Sequence, residues 1–180
     1  MSSAEQQGVA TDEQGLVAES ALSVDLGPDA VGLRFETPER VVEQRDVQLF
    51  AALTGDCHPQ HLDERWATTS PFGAPIAHGL LVVSLAMGLV PVDPRRVVAL
   101  RHCDATFKRP VAFGERIHVE GTLLAVSEVD KHHVLASWRW RIITSAGLLA
   151  VRLGVDVLWC NLDETAADPS VLRVPGVVPL

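Results

Sequence analysis

Gly79-Leu80-Leu81-Val82-Val83-Ser84-Leu85-Ala86-Met87-Gly88-Leu89-Val90 is the most apolar run of the chain, and what surrounds it decides the fold. The run falls well short of the roughly 20 residues a helix needs to span a bilayer, so it reads as a helix buried in a core. Pro71, Gly73 and Pro75 enforce a loop before it, and Pro91 and Pro94 stop it. Beyond it the apolar period changes to two. Residues 97–107, 116–127, 133–144 and 148–159 are rich in Val, Ile, Leu, Trp and Thr. Turn chemistry separates them at Lys108-Arg109-Pro110, Val129-Asp130-Lys131 and Ser145-Ala146-Gly147. In the third segment Val134, Ala136, Trp138, Trp140 and Ile142 share one face, and Ser137, Arg139 and Arg141 the other. An antiparallel sheet with one apolar face must cover it, and the helix is the natural filling. With a further short strand near residues 31–42, the expected architecture is α+β, an antiparallel sheet wrapped around a long central helix.

The bulk properties agree with one such domain. The chain has 180 residues, 47% of them hydrophobic, and a mean hydropathy of +0.19, enough for a real core. A net charge of −8 with only 15 Lys and Arg argues against nucleic-acid binding, which requires a basic face. Cys57, Cys103 and Cys160 are odd in number and far apart, which suits neither a disulfide framework nor a zinc site and fits a reducing cytoplasm. No basic start followed by an apolar run opens the chain, so neither a secretory signal nor a transit peptide is expected, and no membrane association. Residues 1–28 read as a mobile leader, residues 29–162 as the single domain, and residues 163–180, with Pro169, Pro175 and Pro179, as a tail along the surface.

Upstream of the buried run, Val47, Phe50, Ala51 and Thr54 recur at helical spacing, predicting a helix over residues 44–53 that Gly55 ends. Asp56 follows directly, and His61 stands five residues on, across a loop stiffened by Pro59. This spacing allows a carboxylate and an imidazole to converge on one point. It equally allows Asp56 to cap a turn and His61 to be an ordinary packed or surface histidine, and spacing alone does not choose.

The segment Leu53-Thr54-Gly55-Asp56-Cys57-His58-Pro59-Gln60-His61 resembles the signature of the MaoC-like, R-specific enoyl-thioester hydratases, in which Gly-Asp precedes any residue, Asn-Pro, an aliphatic residue and His. Ala67, Phe72-Gly73 and Pro75-Ile76-Ala77-His78-Gly79-Leu80-Leu81 continue the likeness. Phe107-Lys108-Arg109-Pro110-Val111-Ala112-Phe113-Gly114-Glu115 is similar to the family's Phe-x-x-Pro-Val before a glycine and an acidic residue. These stretches cover most of residues 35–160. The resemblance implies a hot-dog fold and syn addition of water across a trans-2-enoyl thioester, or the reverse, with an (R)-3-hydroxyacyl thioester as the other partner. It implies Asp56 and His61 as the acid/base pair, since water must lose a proton while the neighbouring carbon gains one. The backbone N–H of Gly79, at the positive end of the central helix, suits the charge that builds on the thioester oxygen. The substrate carries its own phosphopantetheine arm, on coenzyme A or an acyl-carrier protein, so no cofactor is expected and no dinucleotide fingerprint is present. A homodimer joined at sheet edges is expected.

Other residues carry two readings each. His78 is either a third polar group of the substrate site or a buried histidine orienting the loop at the helix start, and the second needs less. A metal held by Cys57, His58 and His61 matches no ligand pattern, so none is expected. Trp138 and Trp140 read as packing residues. Arg95, Arg96, Arg101, Lys108 and Arg109 are either a solvated strand-edge population or a phosphate patch.

Two departures touch the polar surroundings of the nucleophile. His58 stands where the signature has Asn, and Met87 where family hydratases have a serine lining the site, with Ser84 one turn earlier. They keep open a conjugate addition of an amine to the enoyl thioester. A non-catalytic acyl-binding subunit is the third possibility, and the presence of both Asp56 and His61 argues against it.

Overall fold

A computed structural model describes residues 16–17 and 22–162 of the chain. In chain order the elements are β1 (Leu16–Val17), a 3-10 turn (Pro28–Ala30), β2 (Arg34–Glu36), β3 (Arg40–Val41), α1 (Gln44–Thr54), α2 (Pro59–Leu62) and α3 (Glu64–Ala67). Then come α4 (Gly79–Leu89), β4 (Val97–Phe107), β5 (Arg116–Glu128), β6 (His133–Thr144) and β7 (Leu149–Cys160). The strands form one sheet in the order β1-β2-β5-β6-β7-β4, with β3 also pairing β5. Every pairing is antiparallel except β1 with β2.

The four long strands arise where period-two apolar patterning predicts them, and alternation on β6 and β7 sends one row of side chains inward. That inner row, with Val134, Ala136, Trp138, Trp140 and Ile142 from β6, packs with Leu81, Val82, Val83 and Ala86 of α4 in one hydrophobic cluster. Each such side chain taken out of water contributes about 1.5–3 kcal/mol. The filled sheet is the hot-dog architecture. No helix among the described residues is long and apolar enough to cross a membrane.

The short strand expected near residues 31–42 is two pieces, because Pro38 has no N–H for the ladder. Thr37 bridges the break: its N–H donates to Val119 O at 3.0 Å and its hydroxyl accepts from Val119 N at 2.9 Å.

The boundary of the domain lies earlier than the expected leader allows. Leu22 and Leu26 are buried in the core, and Asn161 clamps Leu26 through two 2.8 Å bonds, one accepted from Leu26 N and one donated to Leu26 O. Residues 22–28 therefore belong to the packed domain: the two leucines gain the burial that a mobile segment forgoes. Residues 1–15 and 18–21 of the leader, and the tail at 163–180, lie outside the described residues.

Candidate active site

Gly55 ends α1 in the left-handed conformation (φ 79°), with its N–H on Ala51 O at 2.8 Å, a geometry that costs a side chain but not glycine. The chain turns sharply there and Asp56 enters solvent, its side chain 54% exposed. Pro59 then opens α2, whose N-cap is His58, with Nδ1 accepting from Gln60 N at 3.2 Å. His61 sits in the last turn of α2. Its Nδ1 lies 2.7 Å from Ile76 O. A carbonyl only accepts, so Nδ1 carries the proton and Nε2 keeps its lone pair. Burial holds the His61 pKa below the ordinary imidazole value; the bond to Ile76 O pulls the other way, and His78 adds to the lowering. His61 is thus a neutral base near pH 7.

The loop between α3 and α4 brings Ile76 into place. Gln60, buried, donates from Nε2 to Ala74 O at 2.9 Å, and Ile76 N donates to Gln60 O at 3.4 Å. His78, 2% exposed, donates from Nε2 to Asp56 O at 2.9 Å. Its ring stacks on His61 at 3.8 Å and 29° and meets Phe50 at 5.0 Å on another side. His78 thereby ties the start of α4 to the backbone of Asp56. Its own Nδ1 is buried with no partner among the described residues.

Gly79 begins α4, so its N–H is among the first-turn donors that no helical carbonyl takes up. A Cβ on Gly79 would stand 2.7 Å from Cε1 of Phe107, so a larger residue here would have to displace the ring. Asp56, His61, His78 and Gly79 all line one open cavity of about 460 Å³, with Phe50, Phe72, Phe107, Lys108, Arg109 and Val151 among its other walls. One polar side-chain atom from each of Asp56, His61 and His78 lies within 4.8 Å of the others, a gap that one water bonded to both Asp56 and His61 can bridge.

The remaining expected residues fall elsewhere. His58 does not line this cavity; its ring packs edge-on against Trp66 at 5.2 Å. Ser84 turns its hydroxyl back to Leu80 O at 2.8 Å on an exposed face of α4. Met87 lines a second, apolar cavity at the other end of α4. The five basic residues do not act as one patch. Arg95 grips Asp93, with Nη2 at 2.7 Å, Arg96 is buried against Asp25, and Arg101 lines a separate small cavity. Lys108 and Arg109 alone of the five face the main cavity. Sequence reasoning missed Gln60 and the Ile76 carbonyl as supports; no residue type signals a backbone acceptor.

Comparison with known proteins follows the same lines. Residues 28–138 match the MaoC like domain family. The (R)-specific enoyl-CoA hydratase of Aeromonas caviae is 37% identical over 134 residues, 73% of this chain and 92% of that protein. The 3-hydroxyacyl-thioester dehydratase Z of Mycobacterium tuberculosis is 29% identical over 53% of this chain and 67% of its own length. Among solved structures, the (R)-hydratase of A. caviae involved in PHA biosynthesis superposes with a TM-score of 0.61 at 32% identity, covering 74% of this chain and 96% of that one. The monoamine oxidase regulatory protein of Archaeoglobus fulgius reaches a TM-score of 0.71 at 27% identity, over 78% and 97% of the two chains. With a family match across more than half its length and the same fold in its relatives, the chain belongs to the MaoC-like family.

Proposed function

We propose that the protein is a hydratase/dehydratase that interconverts trans-2-enoyl and (R)-3-hydroxyacyl thioesters, with Asp56 and His61 as its acid/base pair. The observation that carries this reading is the convergence of the Asp56 carboxylate and the His61 imidazole on one cavity, beside the unpaired donors at the start of α4. A water held between the pair loses a proton to one of them as its oxygen bonds to C3. The same proton goes to C2 on the same face, so the pair ends in its starting protonation state. Negative charge on the thioester oxygen meets the Gly79 N–H. His78 positions this donor relative to Asp56 through its bond to Asp56 O. The named activities of the Aeromonas and Mycobacterium relatives support the same reaction class.

Lys108 and Arg109, at the cavity wall and exposed, suit the phosphate of a phosphopantetheine arm on coenzyme A or a carrier protein. Water is favoured over an amine because His58 spends Nδ1 on capping α2 and stays out of the cavity. The reaction requires no metal or redox cofactor. Offered trans-2-enoyl thioesters on coenzyme A and on carrier protein, with water and amino acids competing, the protein should yield (R)-3-hydroxyacyl products by mass spectrometry and chiral analysis. Amine adducts as the main product would overturn the assignment.

A homodimer belongs to the same proposal. Among the described residues strand β4 ends the sheet and pairs only β7, and it has no buried residue along its 11 positions. Leu100 and Phe107 on it, and Leu80 on α4, are exposed apolar side chains, a combination that a twofold edge-to-edge contact covers. Sedimentation should give a dimer at micromolar concentration; an active monomer there would contradict it.

A further inference from the structure

The signature that residues 53–61 resemble has an aliphatic residue directly before its histidine, and this chain has Gln60 there. Gln60 is 6% exposed. An amide taken that far from water is costly unless it is bonded, and ordering its long side chain adds to the cost. Its partner is Ala74 O, which accepts from Gln60 Nε2 at 2.9 Å. Ala74 makes no other hydrogen bond among the described residues, and Pro75 makes none. Before them, Gly73 N closes a turn on Ser70 O at 3.1 Å. After them, Ile76 N reaches Gln60 O at 3.4 Å and Ala77 N donates to Val111 O at 2.8 Å, while Ile76 bridges Ala112. Gln60 therefore fastens this stretch to α2 twice, and the side-chain bond is the one within ordinary hydrogen-bond length.

What depends on that stretch is the carbonyl of Ile76. His61 Nδ1 donates to it at 2.7 Å, and His61 follows Gln60 directly on the same helix. With four residues, α2 is too short to be stable by its own hydrogen bonds. The direction of the His61 ring is set instead by where Ile76 O stands. The three contacts form a closed loop: α2 carries His61, His61 reaches Ile76 O, and Gln60 ties residues 74–76 back to α2.

We infer that Gln60 is a positioning residue for the reaction: its amide holds residues 74–76 against α2, so that Ile76 O keeps the proton on His61 Nδ1 and leaves the lone pair on Nε2. The inference rests on the acid/base reading above. When the amide is removed the stretch is free to draw away, His61 Nδ1–H loses its acceptor, and the two neutral tautomers come closer in energy. In the other tautomer Nε2 carries the proton and has no lone pair for the water. Burial lowers the His61 pKa most, and the bond to Ile76 O opposes it. Weakening that bond therefore moves the pKa further down. The other groups facing His61 stay as they are: His78 and His58, which lower its pKa, Asp56, which raises it, and Lys108 and Arg109 on the cavity wall.

Gln60→Met tests the amide alone, because methionine fills nearly the same space without a donor, and Ala74, being exposed, can turn its carbonyl to water. In urea titrations the variant should be as stable as the parent or more so. It should nevertheless lose about fivefold in kcat with KM within about twofold, and the acid limb of its pH profile should move to lower pH. Gln60→Leu, the kind of residue the signature has, should behave alike. Independently of turnover, NMR of the imidazole nitrogens, with the His61 signals identified by their loss in His61→Ala, should show one tautomer in the parent, protonated at Nδ1, and a mixture in Gln60→Met. Parent-like kcat, acid limb and tautomer in both folded variants would overturn the inference. So would a loss of kcat that only follows a loss of stability, with limb and tautomer unmoved. A shifted tautomer in a protein that turns over no enoyl thioester would leave Gln60 in its role and remove the hydratase reading. An active parent whose His61 tautomer is indifferent to Gln60 would do the reverse.

Discussion

The two ends of α4 solve opposite problems. At its N-terminal end the backbone donors are free, His78 Nδ1 is buried without a partner, and Asp56 is half in water. At its C-terminal end Leu22 and three tryptophans line an apolar cavity, and the backbone of residues 22–26 is bonded at Leu22, Val24 and Leu26. Groups left unsatisfied are costly to the fold, so the polar end is held by the packed one: the same helix that is anchored among Val155, Val157 and Trp159 offers its free N–H groups to a ligand. Rigidity at one end makes exposed chemistry at the other possible.

The polar end is most easily broken at the proposed acid/base pair. Asp56→Asn and His61→Ala should each lower turnover at least about a hundredfold in a folded protein. Steady-state kinetics with circular dichroism checks this, and near-normal turnover in either variant would remove that residue from the pair. Next in size is Gly79→Ala, whose Cβ collides with Phe107. Displacement of ring and helix start should cost on the order of tenfold to a hundredfold in kcat/KM. Phe107→Leu in the same chain should restore part of it; no rescue would mean that the ring is not the obstacle.

A milder perturbation is pH. Because partial burial depresses the His61 pKa, the acid limb of kcat/KM should have its midpoint below the ordinary imidazole range, and a midpoint at or above that range would contradict a half-buried neutral imidazole acting as base. The same shift bears on stability. Unfolded His61 binds its proton more readily than folded His61, so stability falls as pH drops from the ordinary value to the lowered one. His61→Ala should flatten that slope in urea titrations. The smallest effect is expected from His58→Asn. Asparagine caps a helix as well as the imidazole does, so hydration should stay within about twofold and the ratio of water to amine products unchanged. A shifted ratio would give His58 a part in selecting the nucleophile.

The apolar sheet was more legible than either end of the helix. Strands β4 and β6 run over the same residues that the alternation predicts, because a period of two over eleven or twelve positions leaves little room for error. The approach of Asp56 and His61 to one cavity was readable once Gly55, Pro59 and His61 were taken together with the family likeness. Backbone acceptors were not readable: Ile76 O orients His61 and Asp56 O holds His78, yet a carbonyl leaves no mark on residue type. The packing of residues 22–26 was hidden for a related reason. Leu22 and Leu26 lie in a polar, acid-rich segment, and only the three-dimensional closeness of Asn161, Trp159 and Arg96 shows why they are buried.

The central claim is that Asp56 and His61 act together on one water. A double-mutant cycle in kcat/KM for a trans-2-enoyl thioester, with Asp56→Asn, His61→Ala and both together, tests it most directly. Groups that serve one proton transfer lose their joint function when either is removed, so the double variant should be little worse than the poorer single one. Losses that multiply in full would show that the two residues act independently and contradict the account.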